Sequence, residues 1–336
     1  MPLPPRSTDV VGVDPDRPDE AIVRETAHIL ARGGLVALPT ETVYGLAACA
    51  DEPAAVSRVF EAKGRPATNP LIVHVASLAA ARDLAEDFPP AAESLAARAW
   101  PGPLTLVVRR RRERVPDVVT GGGPTVALRV PAHPVMLAVL HALGRPLAAP
   151  SANRFQTLSP TTAAHVLRSL DGRIERVLDA GPTAHGLEST VVDATTTPPR
   201  VLRPGPIPLD LLREWLGADV TARDARVDEH EGPLPSPGML RRHYAPATRL
   251  VVVRADALEE ALRSLGPNAA VMTRRARALG GRRVVALPDD PVAYGAMLFA
   301  ALHRLDDEGH EVLVVEAVPD DEAWAAVRDR LSRAES

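Results

Sequence analysis

The sequence predicts two α/β units in series, a larger mixed one followed, across a linker, by a smaller one with a parallel sheet. Three observations predict this. Apolar runs of strand length alternate with segments whose apolar residues recur at helical spacing. The alternation is irregular before about residue 217 and simpler after about residue 247. Between them, residues 217–247 (GADVTARDARVDEHEGPLPSPGMLRRHYAPA) are charged, Pro-rich and without periodicity, which reads as a tether. With 336 residues, 46% hydrophobic and 24% charged, the chain can bury two cores.

The elements follow in order. The first 20 residues are polar and Pro-rich, a lead-in with one strand at 10–13. Residues 20–32 place Ile22, Val23, Ala27, Ile29 and Leu30 at helical spacing and stop at Gly33 and Gly34, a helix-terminating signal. Residues 35–38 read as a short buried strand ended by Pro39. Helical patterns follow at 52–63, 78–86, 91–99, 134–143 and 161–170. Strand-length runs interleave at 71–75, 104–108, 125–130, 147–149, 177–178, 190–192 and 201–202, and a helix at 209–216 closes the first unit. Beyond the linker come strand 250–253, helix 257–265, strands 269–272 and 284–287, helix 291–305, strand 312–315 and helix 321–331. That order argues for a small open parallel sheet flanked by helices, and the lack of a GxGxxG turn leaves dinucleotide binding there without support. The expected organisation is 19–216, linker 217–247, and 248–336, with no internal repeat.

Composition narrows the classes. One cysteine, Cys49, rules out an internal disulfide framework and any multi-cysteine zinc or iron–sulfur site. No apolar run reaches about 18 residues, so no membrane span is expected. The N-terminal residues lack a hydrophobic signal core, which points to a cytoplasmic protein. A formal net charge of −4 gives no general attraction to nucleic acid. The 39 cations are split unevenly: 38 are Arg, and the only Lys is Lys63. In a chain where Arg replaces Lys wherever any cation serves, a surviving ammonium marks a place to look for chemistry, since a compact ammonium and a planar guanidinium are not interchangeable.

Lys63 opens KGRPATNPLIVHV, at a helix end and before a buried strand. Lys63 and Arg65, with Pro66 stiffening the loop and Asn69 adding an amide, make a cationic cradle suited to a polyphosphate. The alternative is a helix whose last-turn cations complement its dipole. PSANRFQTLSP, 150–160, offers Ser151, Asn153 and Ser159 to a phosphate or carboxylate, or is an ordinary polar turn. Two of only three Asn fall in these two loops. PTETVYGLAA (39–48) supplies Thr40, Glu41, Thr42 and Tyr44, GLESTVVD (186–193) supplies Glu188, Ser189 and Thr190, and LRPGP (202–206) puts Arg203 in a Pro/Gly turn. Polar loops at strand ends fit one shared cleft, with capping and turn duty as the alternative for each.

Other chemistries find little support. There is no GxxxxGK[ST], HExxH or GxSxG motif, and Cys49 follows an apolar run without an evident base. His133 and His141 share a helix face with no carboxylate at metal-ligand spacing. Arg109–Arg112 with Arg114 reads as a solvated hairpin tip, with contact to RNA phosphates as the alternative. PGMLRRHYAP mixes Arg241, Arg242, His243 and Tyr244 in the linker, odd for a passive tether and consistent with a segment that folds over a ligand.

Taken together, PTETVYGL, KGRPATNPLIVH, WPGPLTLV, VALRVPAHP, APSAN, LSPT, GLESTVVD and LRPGP resemble, in order and spacing over 19–216, the YrdC-like catalytic domain of threonylcarbamoyl-AMP synthases. The PGM…HYAP linker and following α/β unit resemble that family's two-domain branch. The resemblance implies a twisted α/β sheet enclosing a large basic cavity, then a Rossmann-like domain. It implies a nucleotidyltransferase that joins L-threonine, bicarbonate and ATP into threonylcarbamoyl-adenylate and releases pyrophosphate. Mg²⁺ is expected with the nucleotide and no metal directly on protein ligands. The product would serve tRNA-modifying transferase proteins, with weak or no direct tRNA binding by this chain.

Carried over by motif, Lys63, Arg65, Ser151 and Asn153 match the catalytic set around the nucleotide phosphates. Asn69, Thr125, Ser159 and Arg203 match further ATP contacts, while Thr42, His74, Arg129, the backbone at Ala149 and Ser189 match threonine-binding positions. One departure stands out. The family usually has Tyr at the third residue after the Gly of PGM, against the nucleotide, where this chain has Arg241. Arg can stack on a base or pair with a phosphate, so Arg241 is carried as an altered ATP contact. Two other functions remain open: an RNA-binding module using the same basic cavity, and a carbamoyl-phosphate-handling relative of the fold.

Overall fold

A computed structural model of the chain describes residues 7–217, 219–222 and 243–335. The strands of its first unit are β1 (Asp9–Gly12), β2 (Val36–Leu38), β3 (Gly45–Cys49), β4 (Ile72–His74), β5 (Leu104–Arg109), β6 (Thr125–Arg129), β7 (Leu147–Ala148), β8 (Arg176–Asp179), β9 (Thr190–Asp193), β10 (Arg200–Arg203) and β11 (Thr221–Ala222). They form one mixed sheet in the order β1-β8-β2-β3-β7-β4-β6-β5-β9-β10-β11. The second unit has β12 (Arg249–Val253), β13 (Ala269–Thr273), β14 (Val284–Ala286) and β15 (Val312–Glu316), ordered β12-β15-β13-β14 with every pair parallel. Helices cross between β12 and β13 and between β14 and β15, whereas the parallel pair β13 and β14 is joined by residues 274–283 without a helix.

Helices predicted from periodicity are present, with Pro134–Leu143 and Leu209–Leu216 at the expected residues. Local chemistry sets their ends. The Asp19 carboxylate accepts from the N–H groups of Ala21 and Ile22 and starts the helix Glu20–Ala31. Gly64, at φ 64°, ends the helix Pro53–Lys63 in a left-handed cap, which places Lys63 on its last turn.

Three expectations need correction. Residues 45–48 lie inside the stretch read as a polar loop, yet with Cys49 they form β3, in mid-sheet. GLAAC has no β-branched side chain, so its propensity is weak. Burial decides instead: Leu46 and Ala48 join one core while Ala47 and Cys49 join the opposite one, and Gly45 lets the backbone approach Ala149. The Arg109–Arg112 run is not wholly solvated. Arg110 is buried, donating to Val115 O at 2.8 Å and pairing with Asp117. The stretch read as a tether contains β11, parallel to β10; residues 218 and 223–242, including Arg241, lie outside the described residues.

The two units meet closely. Leu158 and Leu187 of the first belong to the same apolar cluster as Leu298, Phe299 and Val327 of the second. The backbone of Gly186, at φ 65°, lies so near that of Ala296 that a Cβ there would fall 2.4 Å from its carbonyl oxygen. Beside them the rings of His165 and His303 stack at 3.9 Å, and Arg168 donates to His303 O and pairs with Asp307. The loop before β9 is therefore gripped by the helix Pro291–Asp307, which matters because that loop reaches the site.

Candidate active site

Five strand-end loops converge on one cavity, whose lining includes Thr42, Arg65, His74, Arg129, Ala149, Ser151, Glu188, Ser189, Arg203, His243 and Tyr244. Loop conformation is set locally. Thr40 Oγ1 accepts from the N–H groups of Thr42 and Val43 and donates to Val43 O at 2.6 Å, closing a hydroxyl turn that presents Thr42. The next residue but one, Tyr44, anchors the hairpin by donating to Gly181 O at 2.7 Å. The 150–160 loop is stitched to that hairpin by Leu46 N–H to Pro150 O and Ala152 N–H to Tyr44 O.

One wall is cationic. The Lys63 ammonium, only 2% exposed, donates to Ser151 O at 2.6 Å and Asn153 O at 2.5 Å. Arg65 donates to Asn69 Oδ1, Asn69 O and Pro70 O, and Arg203 to Ser189 O and Oγ. Among the described residues no carboxylate lies within 4.0 Å of Lys63, Arg65 or Arg203. Burial lowers all three pKa values: Lys63 falls well below 10.5, with Arg65 adding to the effect, Arg65 falls to about 9, and Arg203 is lowered too. With only neutral oxygens as hydrogen-bond partners, these cations lack a compensating charge, and an incoming anion would favour the charged form that burial disfavours.

A second cluster at the cavity is arranged around Arg129. It donates to Thr42 Oγ1 at 3.0 Å and Gly102 O at 3.2 Å and forms an ion pair with Glu41 at 2.7 Å. Burial pushes the Glu41 carboxyl up, but Arg129 outweighs it and holds it below the usual range. His74, one strand over in register with Arg129, is pushed down to about 3 by burial and by that guanidinium, so it is neutral. Ser189 Oγ shares a 2.7 Å hydrogen bond with Thr105 Oγ1.

Several buried polar atoms at this cavity have no hydrogen-bond partner among the described residues: His74 Nδ1, Asn69 Nδ2, Asn153 Oδ1, His243 Nδ1 and Tyr244 Oη. Buried polar atoms are rarely left so, and a cluster of them marks a place built to receive polar groups. The free volume is about 50 Å³, and His243 and Tyr244 line it with their rings 4.0 Å apart and Tyr244 at φ 61°. The end of the linker thus contributes two rings to the cavity wall.

The structure gathers most of the predicted residues and leaves others aside. Thr42, Arg65, His74, Arg129, Ala149, Ser151, Ser189 and Arg203 line the cavity directly. Lys63 and Asn153 stand behind Ser151, Asn69 is pinned to Arg65, and Ser159 Oγ donates to the Glu188 carboxylate. Thr125 starts β6, paired with Arg109, and is not among the lining residues. The expected set omitted Glu41 and Glu188, which their loops had already brought into view, and Arg330, which nothing local signals. Among the described residues no cluster of three His, Cys, Asp or Glu side chains is placed to hold a metal ion.

Comparison with known proteins agrees with this geometry. Residues 28–205 match the Sua5–YciO–YrdC family model, described as "Telomere recombination", and residues 207–336 match the C-terminal domain model of threonylcarbamoyl-AMP synthases. The chain is 41% identical over 326 residues to the threonylcarbamoyl-AMP synthase of Pyrococcus abyssi, covering 95% of each chain. It is 38% identical to the Bacillus subtilis enzyme of that name, covering 93% of this chain and 92% of that one. The crystal structure of P. abyssi Sua5 complexed with L-threonine superposes with a TM-score of 0.91 at 40% identity, covering 97% of both chains. With both halves matched in order and a relative of this identity spanning nearly its whole length, the chain belongs to the threonylcarbamoyl-AMP synthase family, in the branch that carries a C-terminal domain.

Proposed function

We propose that the cavity joins L-threonine, bicarbonate and ATP into threonylcarbamoyl-adenylate, releasing pyrophosphate, as the first step of threonylcarbamoyladenosine formation in tRNA. The observation that carries this reading is the group of buried Lys63, Arg65 and Arg203 that meets carbonyl oxygens instead of carboxylates, at the same cavity as Arg129 and Thr42. Such a site accepts two anionic reactants at once.

The threonine nitrogen attacks the carbon of bicarbonate and water leaves, giving a carbamate. A carbamate oxygen then attacks the α-phosphorus as its bond to the bridging oxygen of pyrophosphate breaks. No protein nucleophile is needed, so positioning and charge neutralisation do the work. In this reading Arg129, held in place by Glu41, takes the threonine carboxylate, Thr42 and Ser189 orient the amino acid, and neutral His74 and the Ala149 backbone complete its pocket. Lys63, Arg65, Ser151, Asn153 and Arg203 surround the triphosphate, with Asn69 and Ser159 beside them; Thr125 and Arg241 are carried as further nucleotide contacts by motif alone, Arg241 lying outside the described residues. Both cavity carboxylates are engaged by arginines, Glu41 by Arg129 and Glu188 by Arg330, so the protein side chains do not fit a divalent ion here. Mg²⁺ would ride on the phosphates themselves, and no step above depends on it.

The product passes to tRNA-modifying transferase proteins, with little direct tRNA contact, in the cytoplasm. No helix among the described residues is long and apolar enough to cross a membrane. A pyrophosphate-release assay omitting each substrate in turn tests the reading. Release that requires threonine, bicarbonate and ATP together is expected, and release indifferent to threonine or bicarbonate overturns it.

A further inference from the structure

The C-terminal unit sends one side chain to the wall of the cavity. Arg330, on the helix Ala325–Ala334, is 1% exposed, and its guanidinium contacts both loops that deliver Ser189 and Arg203. Nε donates to Glu188 Oε2 at 2.7 Å and an Nη to Glu188 O at 3.3 Å, in the residue before Ser189. The other Nη donates to Pro204 O at 3.0 Å, in the residue after Arg203. Asp329 accepts from that same Nη at 2.8 Å and is itself held by Arg333, while the guanidinium lies 5.2 Å over the Tyr244 ring. The second oxygen of Glu188 accepts from Ser159 Oγ.

The two stapled loops touch backbone to backbone. A Cβ at Gly205 would fall 2.3 Å from Thr190 N and 2.6 Å from Ser189 C, so the two loop backbones are in close contact. A planar guanidinium with donors in a fixed fork suits this duty, because it can reach a carboxylate and two separate carbonyls at once, as an ammonium cannot.

We propose that Arg330 is a positioning residue for the adenylation site: it fixes the 188–189 and 203–204 loops as one unit, so that the C-terminal domain sets the geometry of Ser189 and Arg203. This rests on the proposed synthase reading and deepens it. It also gives the second domain a mechanical role in the chemistry of the first.

The test uses full-length Arg330→Met, Arg330→Lys and the double variant Arg330→Met/Glu188→Gln, each assayed for thermal unfolding and for kcat and KM of threonine- and bicarbonate-dependent pyrophosphate release. Arg330→Met should lower kcat on the order of 10²-fold, the scale of a misplaced reacting group, and Arg330→Lys should restore only part of it. The double variant removes both buried charges, so it should regain the unfolding temperature lost by Arg330→Met without regaining kcat, and it keeps the test open if the single variant fails to fold. Recovery of kcat together with stability in the double variant, or wild-type kcat and KM in a folded Arg330→Met, overturns the proposal alone. Wild-type protein that releases no pyrophosphate in dependence on threonine and bicarbonate overturns the functional reading, and this proposal with it.

Discussion

Around the C-terminal sheet, Arg274 and Arg275 share the carboxylate of Asp289, and Arg283 pairs with Glu308 at 2.9 Å. Around the cavity, Lys63, Arg65 and Arg203 are buried and meet only backbone carbonyls, an amide and a hydroxyl. The first arrangement is complete in itself: each charge is neutralised where water also screens it. The second withholds neutralisation at positions where water cannot supply it, which costs stability in the free protein and is recovered when anions enter. Buried cations without carboxylate partners therefore locate the ligand site better than cation density does. By density alone, 109–114 would have been the choice, and there Arg110 turns inward to Val115 and Asp117.

Four experiments break or sharpen that contrast, the largest expected effect first. Lys63→Ala should slow pyrophosphate release roughly 10²-fold or more, as loss of one preorganised donor can. Lys63→Arg keeps the charge but cannot place a compact donor between Ser151 O and Asn153 O, so it should also be severely impaired; wild-type turnover in either variant would refute the assignment. Gly186→Ala attacks the link between the regions. It puts a side chain at φ 65° against the Ala296 backbone, and a loss of about 2–4 kcal/mol is expected from strain plus overpacking. An unchanged unfolding midpoint in denaturant would show that the two units do not need this close approach.

The interface also carries a pH dependence. Burial holds His165 down to about 4 and His303 down to about 3, so both are neutral in the fold, whereas in the unfolded chain they protonate near 6.5. Protons then favour the unfolded state, so the stability contribution is present above pH 6.5 and lost progressively as pH falls toward 4. Arg168 and Asp307 face the same pair, and Arg168 disfavours any added charge. Tm should drop between pH 7.5 and 4.5, with a shallower slope in His303→Gln; equal slopes for the two proteins would exclude this pair as the cause. The smallest effect belongs to Arg275→Ala. Arg275 is 82% exposed and Asp289 keeps Arg274, so neither Tm nor turnover should change measurably. A clear loss would mean that the paired surface cations do more than the contrast allows.

Much of the site was legible from the chain alone. Lys63 stood out because every other cation is Arg, and its loop, PSAN, PTETVYG, GLEST and LRPGP each carry polar groups at a strand end. What stayed hidden had no local signature. β3 is built of Gly, Leu, Ala and Cys, which favour a strand only when both faces are covered. Arg330 sits in RDRLSRA, where it is indistinguishable from Arg328 and Arg333 until the partner Glu188, 142 residues away, is brought beside it.

By itself, then, the sequence determined the alternation of helices and strands, the polar loops at strand ends and the family's motifs, because periodicity, caps and turn residues act over a few residues. The tertiary structure alone decided which cations would be buried without carboxylates, that His243 and Tyr244 would line the cavity, and that a C-terminal arginine would reach Glu188 and Pro204 beside it. Those are matters of burial and long-range pairing, and a charge buried in the fold takes its meaning from whichever distant group the topology sets against it.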